Sequence, residues 1–203
     1  MNPLKDPALL VIDMQNDFVR RGAPFEVPEA RETIPIIGQL ITHFRDRSRP
    51  VIYTRYVAHP LYLPLKRKLP WIAALEPPVN ACVPGFERAY ADVDGARDGA
   101  DIIDELRPQP GELVIDKIYF SAFHNTDLDR ELTARAVGSV VVTGTVAEMC
   151  VEDTARHAVH FGLPTVLVSD AVSSSNPEGK RAALEGFARN YGWVMSASEI
   201  IAG

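Results

Sequence analysis

The chain has 203 residues, two cysteines and a formal net charge of −6 at pH 7. Apolar residues make up 46% of the sequence and charged residues 24%, as in an average globular protein, so the composition argues against disorder. The acidic balance argues against a nucleic-acid-binding surface, and two cysteines do not make a disulfide framework. We therefore expect a single cytoplasmic domain over residues 1–203, with no signal peptide and no membrane span.

Short apolar runs, several rich in β-branched residues, alternate with amphipathic segments along the chain. The runs predict strands at residues 8–12, 51–54, 112–117, 140–143, 165–169 and 193–195. The amphipathic segments predict helices at residues 29–47, 100–106, 126–136, 150–161 and 177–190. Strands that alternate with helices indicate βαβ units, so we expect an α/β fold around a mainly parallel sheet.

Residues 56–100 lack this periodicity and are rich in proline. A long irregular segment inside one domain usually has a function, as a lid, a pocket wall or a subunit contact. The sequence does not distinguish these roles. We expect the protein to be a homo-oligomer, either a dimer or a tetramer, that acts on a small molecule.

Three reactive side chains follow predicted strands. Asp13 comes directly after the first strand, Lys117 ends the third, and Cys150 lies in the turn after the fourth. Because right-handed βαβ connections bring the carboxyl ends of parallel strands to one side of the sheet, we expect these side chains to share one edge. A thiol at the start of a helix is expected to have a lowered pKa, although a buried structural cysteine is the alternative interpretation of Cys150.

An acid, an ammonium and a thiol together suit acyl transfer. A thiolate attacks a carbonyl carbon, a carboxylate moves the proton from sulfur to the leaving nitrogen, and a cation lowers the pKa of the thiol. This chemistry predicts Asp13, Lys117 and Cys150 as a catalytic group.

Three motifs in the same order resemble the isochorismatase-like cysteine hydrolases. They are VIDMQNDF at residues 11–18, the stretch from Lys117 to Ser121-Ala122-Phe123, and TGTVAEMCVEDTAR at residues 143–156. That superfamily includes nicotinamidases, N-carbamoylsarcosine amidases, ureidoacrylate and biuret hydrolases, and isochorismatases. The resemblance implies a three-layer α/β/α Rossmann-like fold with a six-stranded sheet in the order 3-2-1-4-5-6.

The resemblance also implies roles for individual residues. Cys150 would be the nucleophile, Asp13 the general base and then acid, and Lys117 the group that orients and polarises. A cis peptide bond would join Thr145 and Val146. The backbone N–H groups of Val146, Ala147 and Cys150 would form an oxyanion hole.

Further residues are candidates for substrate binding. Phe18, Tyr119, Phe120 and Phe123 are expected to line the pocket, with core packing as the alternative. Arg55 is expected to bind a substrate carboxylate, with a surface ion pair as the alternative. Glu148 would either line the pocket or stabilise the N-terminus of its helix.

These observations predict a metal-independent cysteine hydrolase that cleaves a C–N bond of a small amide, carbamoyl or ureido compound through a Cys150 thioester. The first alternative is vinyl-ether hydrolysis of the isochorismatase type, which needs the acid and not the thiol. The second alternative is a catalytically silent thiol-sensing or binding protein with the same fold.

The protein is expected to need no metal or other cofactor. Metal-using nicotinamidases have an Asp-x-His sequence just after the second strand, whereas this chain has Thr54, Arg55 and Tyr56 there. One nearby histidine, His59, does not supply the three or four ligands that zinc requires. Elemental analysis of purified protein should therefore find no stoichiometric metal, and chelators should leave turnover intact. Stoichiometric zinc or iron whose removal abolishes activity would contradict this expectation.

Overall fold

The computed structural model of the protein describes residues 3–203. Met1 and Asn2, which the expected single domain includes, lie outside the described residues. The strands are β1 Pro7–Ile12, β2 Val51–Tyr56, β3 Glu87–Tyr90, β4 Val93–Asp98, β5 Leu113–Lys117, β6 Ser139–Thr145, β7 Thr165–Ser173 and β8 Trp193–Met195. The α-helices are α1 Asn16–Val19, α2 Ala30–Asp46, α3 Leu128–Ala134, α4 Glu152–His160, α5 Pro177–Asn190 and α6 Ala197–Ala202. Short 3₁₀ helices cover Pro60–Arg67, Pro70–Leu75 and Asp104–Leu106, and a π-helical turn covers Ala147–Val151.

Six strands form one sheet in the order β5-β2-β1-β6-β7-β8, and every neighbouring pair in it is parallel. Counted over the strands of this sheet alone, the order is 3-2-1-4-5-6, as the resemblance implied. The full-chain labels differ because β3 and β4, which the sequence analysis did not predict, form a separate antiparallel hairpin.

Helices cover both faces of the sheet, which confirms the α/β/α prediction. Successive side chains of a strand point to opposite faces. Leu9 and Val11 of β1 therefore pack in one apolar cluster with α2 and α6, while Leu10 and Ile12 pack in a second cluster with α3, α4 and α5. β1 lies in the middle of the sheet, and its residues from Ala8 to Ile12 are fully buried.

Two predicted helices differ from the observed structure. The helix expected at residues 100–106 is only the 3₁₀ turn Asp104–Leu106. The helix expected from Cys150 begins earlier, as the π-helical turn, in which the Val146 carbonyl oxygen accepts hydrogen bonds from the N–H groups of Met149 and Val151. Cys150 therefore lies inside this turn, before the regular helix α4. In the described part of the chain, no helix combines the length and the apolar character that crossing a membrane requires.

Residues 56–100 form an ordered wall above the carboxyl edge of the sheet. Tyr56, Ile72, Leu75, Ala81 and Cys82 give this segment its own small apolar core. The 3₁₀ helix Pro70–Leu75 supplies Ile72 and Leu75 to this core, and Tyr62 and Leu63 of the 3₁₀ helix Pro60–Arg67 pack against it. The segment thus has a packed structure although its sequence shows little periodicity.

Asp17 of α1 fastens this wall to the domain. Its buried carboxylate accepts hydrogen bonds from the Cys82 N–H at 2.7 Å and the Tyr90 hydroxyl at 2.7 Å. It also pairs with the guanidinium of Arg88, with 2.9 Å between Nε and Oδ1. Phe18, the next residue, packs against the small core of the same segment. The contacts of Asp17 and Phe18 together hold α1 against the wall.

Asp17→Ala should destabilise the protein by about 3 kcal/mol or more, because removing one partner of a buried ion pair leaves the other charge uncompensated. Urea unfolding followed by circular dichroism measures this loss. The matched control is Asp94→Ala, since Asp94 is an exposed carboxylate in the β3–β4 hairpin, which also carries Arg88 and Tyr90. Equal unfolding midpoints for Asp17→Ala and the wild type would show that the carboxylate does not anchor the wall.

Candidate active site

The carboxyl ends of β1 and β6 approach each other closely enough to exclude any side chain at Gly144. A Cβ atom added at Gly144 would lie 2.0 Å from the carbonyl oxygen of Ile12, and Gly144 has a φ of 106°. Asp13, directly after β1, also has a positive φ, 49°. This contact brings the turn that carries Cys150 beside Asp13.

Lys117 joins the other two predicted residues. Its fully buried ammonium lies 2.7 Å from Asp13 Oδ2 and donates hydrogen bonds to Cys150 Sγ at 3.2 Å and to the Tyr119 carbonyl oxygen at 2.8 Å. The ammonium thus has two hydrogen-bond acceptors and one ion-pair partner. Although burial alone would lower the pKa of Lys117, the charge of the Asp13 carboxylate raises it, so the ammonium stays protonated.

The Thr145–Val146 peptide bond, just before the turn that carries Cys150, is cis, as the resemblance implied.

Cys150 is a thiol in the resting protein. Burial raises the pKa of the Cys150 thiol to about 12; the charge of Lys117 acts in the opposite direction, and the charge of Asp13 adds to the rise. The expectation of a lowered pKa was therefore wrong, because loss of solvent outweighs the helix terminus and the ammonium.

Thr54 orients the Asp13 carboxylate, and the sequence analysis missed this role. Its hydroxyl donates to Asp13 Oδ1 at 2.6 Å and accepts from the Asp13 N–H at 3.1 Å. Lys117 lies at Oδ2, so both carboxylate oxygens have a partner. The available signal was the position of Thr54 at the end of the strand next to β1.

A cavity of about 390 Å³ opens onto Cys150. Among the predicted site residues, Phe18, Phe120, Val146, Glu148 and Cys150 line it. The lining residues that the sequence analysis did not propose are Pro24, Phe25, Glu26, Val27, Tyr56, Trp71, Met149, Ser174, Ser175 and Asn176. They come from separate parts of the chain, and the wall formed by residues 56–100 contributes Tyr56 and Trp71.

Two roles were predicted for Glu148: lining the pocket, or stabilising the N-terminus of its own helix. The structure agrees with the first and places the side chain near a different helix N-terminus. It lines the cavity, and its Oε1 atom accepts a hydrogen bond from the Ser174 hydroxyl at 2.7 Å. The same oxygen would lie 2.9 Å from a Cβ added at Gly179, in the first turn of α5. The carboxylate therefore lies near the N-terminus of α5, a helix it does not belong to.

Arg55 does not lie at this cavity, so its predicted role in substrate binding was wrong. Thr54 contacts Asp13 and Tyr56 lines the cavity, whereas Arg55, between them on β2, points to the opposite face. Its guanidinium pairs with Asp116 at 2.7 Å and with Asp101 at 2.6 Å, and these partners raise its pKa. The alternative interpretation, an ion pair near the surface, describes Arg55 correctly.

Two predicted aromatic residues also lie outside the cavity lining. The Tyr119 ring stacks on Tyr62 and on Phe120 with centroid distances of 4.0 Å, and only its carbonyl oxygen reaches Lys117. Phe123 is buried and stacks on Phe161 at 5.1 Å. Core packing, the alternative interpretation, therefore applies to Phe123.

The oxyanion hole stays a prediction. Val146 lines the cavity, and Ala147 is buried in the first position of the π-helical turn. The first N–H groups of a helix have no acceptor within it, so they are available to a ligand.

Within residues 3–203, His, Cys, Asp and Glu side chains form no group of three or more that could hold a metal ion. The metal content also stays a prediction.

Comparisons with known proteins agree with this geometry. Residues 7–199 match the family model described as Isochorismatase domain. The chain is 30% identical over 216 residues to ureidoacrylate amidohydrolase RutB of Pseudomonas syringae pv. syringae (strain B728a), covering 96% of this chain and 82% of that relative.

Solved structures show the same fold. A cysteine hydrolase from Pseudomonas syringae pv. phaseolicola 1448A has a TM-score of 0.83 and 27% identity, covering 100% of this chain and 93% of the other. N-carbamoylsarcosine amidase from Thermoplasma acidophilum has a TM-score of 0.71 and 31% identity, covering 94% and 96%. With a family match over nearly the whole chain and the predicted sheet order, the protein belongs to the isochorismatase family.

Proposed function

We propose that the protein is a cysteine hydrolase that cleaves a C–N bond of a small amide, carbamoyl or ureido compound, with Cys150 as the nucleophile. The observation that carries this proposal is one buried ammonium that contacts both a carboxylate, at 2.7 Å, and a thiol, at 3.2 Å, beside a cavity of about 390 Å³. The names of the relatives, ureidoacrylate amidohydrolase and N-carbamoylsarcosine amidase, support the same class of reaction.

In the acylation step, Asp13 takes the proton from Cys150 Sγ as sulfur attacks the carbonyl carbon. A C–S bond forms, and the negative charge on the carbonyl oxygen is stabilised by the backbone N–H groups of Val146, Ala147 and Cys150. Asp13 then delivers the proton to the leaving nitrogen, the C–N bond breaks, and ammonia or an amine departs. The enzyme is left as a thioester, or as a thiocarbamate when the substrate is a ureido compound.

In the deacylation step, water replaces the departed amine. Asp13 removes a proton from water, a C–O bond forms, and the C–S bond breaks. The proton then returns to sulfur and restores the thiol. One water molecule is consumed in each cycle, and no electron acceptor is needed.

The raised pKa of Cys150 explains why the reaction needs both neighbours. Because burial raises the pKa of Cys150 well above neutral pH, the protonated thiol predominates at pH 7. Proton transfer to Asp13 must therefore accompany the attack, and the positive charge of Lys117 stabilises the sulfur as it loses its proton. The resting thiol is unreactive until a substrate carbonyl lies beside it.

We also propose that the enzyme acts in the cytoplasm as a homo-oligomer, either a dimer or a tetramer. Exposed apolar side chains support this assembly, including Leu61 and Leu65 on the 3₁₀ helix Pro60–Arg67. The absence of a disulfide, with both Cys82 and Cys150 as free thiols, supports a reducing compartment.

Cys150→Ala should abolish the release of ammonia from amide and ureido compounds, because it removes the sulfur that forms the acyl intermediate in the proposed mechanism. Asp13→Asn should lower kcat by about 10²–10⁴-fold, the usual contribution of a general base. A coupled ammonia assay measures both effects, and Cys82→Ala, which removes the other thiol, is the control that should retain turnover. If Cys150→Ala retains amidase activity, the thioester route is wrong. Vinyl-ether hydrolysis that persists in this variant would favour the first alternative.

Alkylation of Cys150 by iodoacetamide should accelerate about tenfold for each pH unit between pH 7 and 9, because the thiolate reacts and its fraction rises with pH below the pKa. The rate is followed by mass spectrometry of the peptide that contains Cys150. Alkylation of the separate peptide that contains Cys82, whose burial also raises its pKa, gives an internal comparison in the same samples. A rate that reaches a plateau below pH 9 would mean that Cys150 ionises near its ordinary pKa.

A further inference from the structure

The charges that line the cavity are negative. Within residues 3–203, the acidic residues in the lining are Glu26 and Glu148, and no lysine, arginine or histidine lines it. Glu26 is neutralised, since its Oε1 atom pairs with Arg31 at 2.8 Å and its Oε2 atom accepts the Gly22 N–H at 2.8 Å. Glu148 has no cationic partner in the described part of the chain and is bonded to the neutral hydroxyl of Ser174.

Two lysines close to the cavity lining, Lys117 and Lys180, already have anionic or polar partners. The three donors of Lys117 have partners in Asp13, Cys150 and the Tyr119 carbonyl. Lys180, in the first turns of α5, pairs with Glu29 at 2.7 Å. A carboxylate that entered the cavity would therefore find no free cation and would meet the uncompensated charge of Glu148.

Several aromatic side chains also line the cavity. Four of the rings that line the cavity contact one another in a cycle, so that each ring packs against two others. The centroid distances are 5.6 Å for Phe18–Phe25, 6.0 Å for Phe25–Trp71, 6.3 Å for Trp71–Tyr56 and 6.5 Å for Tyr56–Phe18. Faces of aromatic rings attract organic cations, and a desolvated site strengthens this attraction. Such a wall accepts an alkyl or ammonium group and supplies no positive charge to a carboxylate.

We propose that Glu148 and the four-ring wall select substrates whose non-reacting end is uncharged or cationic, and that they reject substrates with a carboxylate there. This inference rests on the proposed function, because it concerns the amide or ureido compound that Cys150 attacks. It separates the protein from the relative named ureidoacrylate amidohydrolase, since an acrylate carries a carboxylate. Arg55, which could have bound such a group, lies on the other face of β2.

The test uses three ureido compounds of similar size: (2-ureidoethyl)trimethylammonium, butylurea and 3-ureidopropionate. Their reacting group is the same, so differences in kcat/KM report on the charge of the far end. The cationic compound should exceed the neutral one by about tenfold. The neutral one should exceed the anionic one by about 100-fold, since an unmatched like charge in an interior site is strongly disfavoured.

Glu148→Gln keeps the size of the side chain and an acceptor for Ser174 but removes the charge. It should narrow the ratio of kcat/KM between the cationic and anionic compounds by about tenfold or more. The matched control is Glu178→Gln, because Glu178 is exposed in the first turn of α5 and does not line the cavity. An unchanged ratio in Glu148→Gln would overturn the role of this carboxylate.

Equilibrium binding to Cys150→Ala, measured by calorimetry, separates failure of this inference from failure of the proposed function. The same order of affinities in Cys150→Ala supports the selection by charge even if the wild type releases no ammonia, in which case only the proposed reaction fails. Turnover or binding of 3-ureidopropionate equal to that of the cationic compound overturns the inference while leaving the hydrolase intact. Failure of Cys150→Ala to bind the cationic compound also overturns the inference.

Discussion

The buried ion pair between Lys117 and Asp13 is the interaction on which the site depends. Both side chains are removed from solvent, so either charge alone would be very costly. The pair is tolerable because each polar atom has a partner: Thr54 at one carboxylate oxygen, the ammonium at the other, and Cys150 and the Tyr119 carbonyl at the remaining donors. The sheet order makes this possible, since it places β1 between β2 and β6.

The ion pair and the thiol depend on the same burial. Exclusion of water raises the pKa of Cys150, and it also strengthens every electrostatic interaction that the reaction would use. A thiol that is protonated at rest is protected from oxidation and alkylation, because the thiolate is the reactive form. In the proposed mechanism, the substrate carbonyl carbon accepts an electron pair from sulfur while Asp13 accepts the proton. The new C–S bond makes loss of the proton favourable.

Chemistry and selection come from different parts of the fold. Of the proposed reacting groups, Asp13 and Cys150 follow the adjacent central strands β1 and β6, and Lys117 ends the edge strand β5. The cavity wall comes instead from the loop around Phe18 and Phe25, from residues 56–100 and from the turn before α5. Asp17 joins the first two of these through its contacts with Cys82, Arg88 and Tyr90.

The sequence by itself determined the fold class, the sheet and the meeting of Asp13, Lys117 and Cys150. Buried parallel strands have a local apolar signature, and the rule of right-handed crossovers brings their carboxyl ends together without any knowledge of packing. The cis bond and the sheet order came from the resemblance of three motifs. Only the tertiary structure decided which face of β2 carries Thr54 and which carries Arg55, because the pairing of β1 with β2 sets that choice. It also decided that Phe123 is a core residue, that Trp71 and Ser174 reach the cavity, and that the thiol pKa is raised. These properties depend on burial by segments distant in sequence, which no local pattern records.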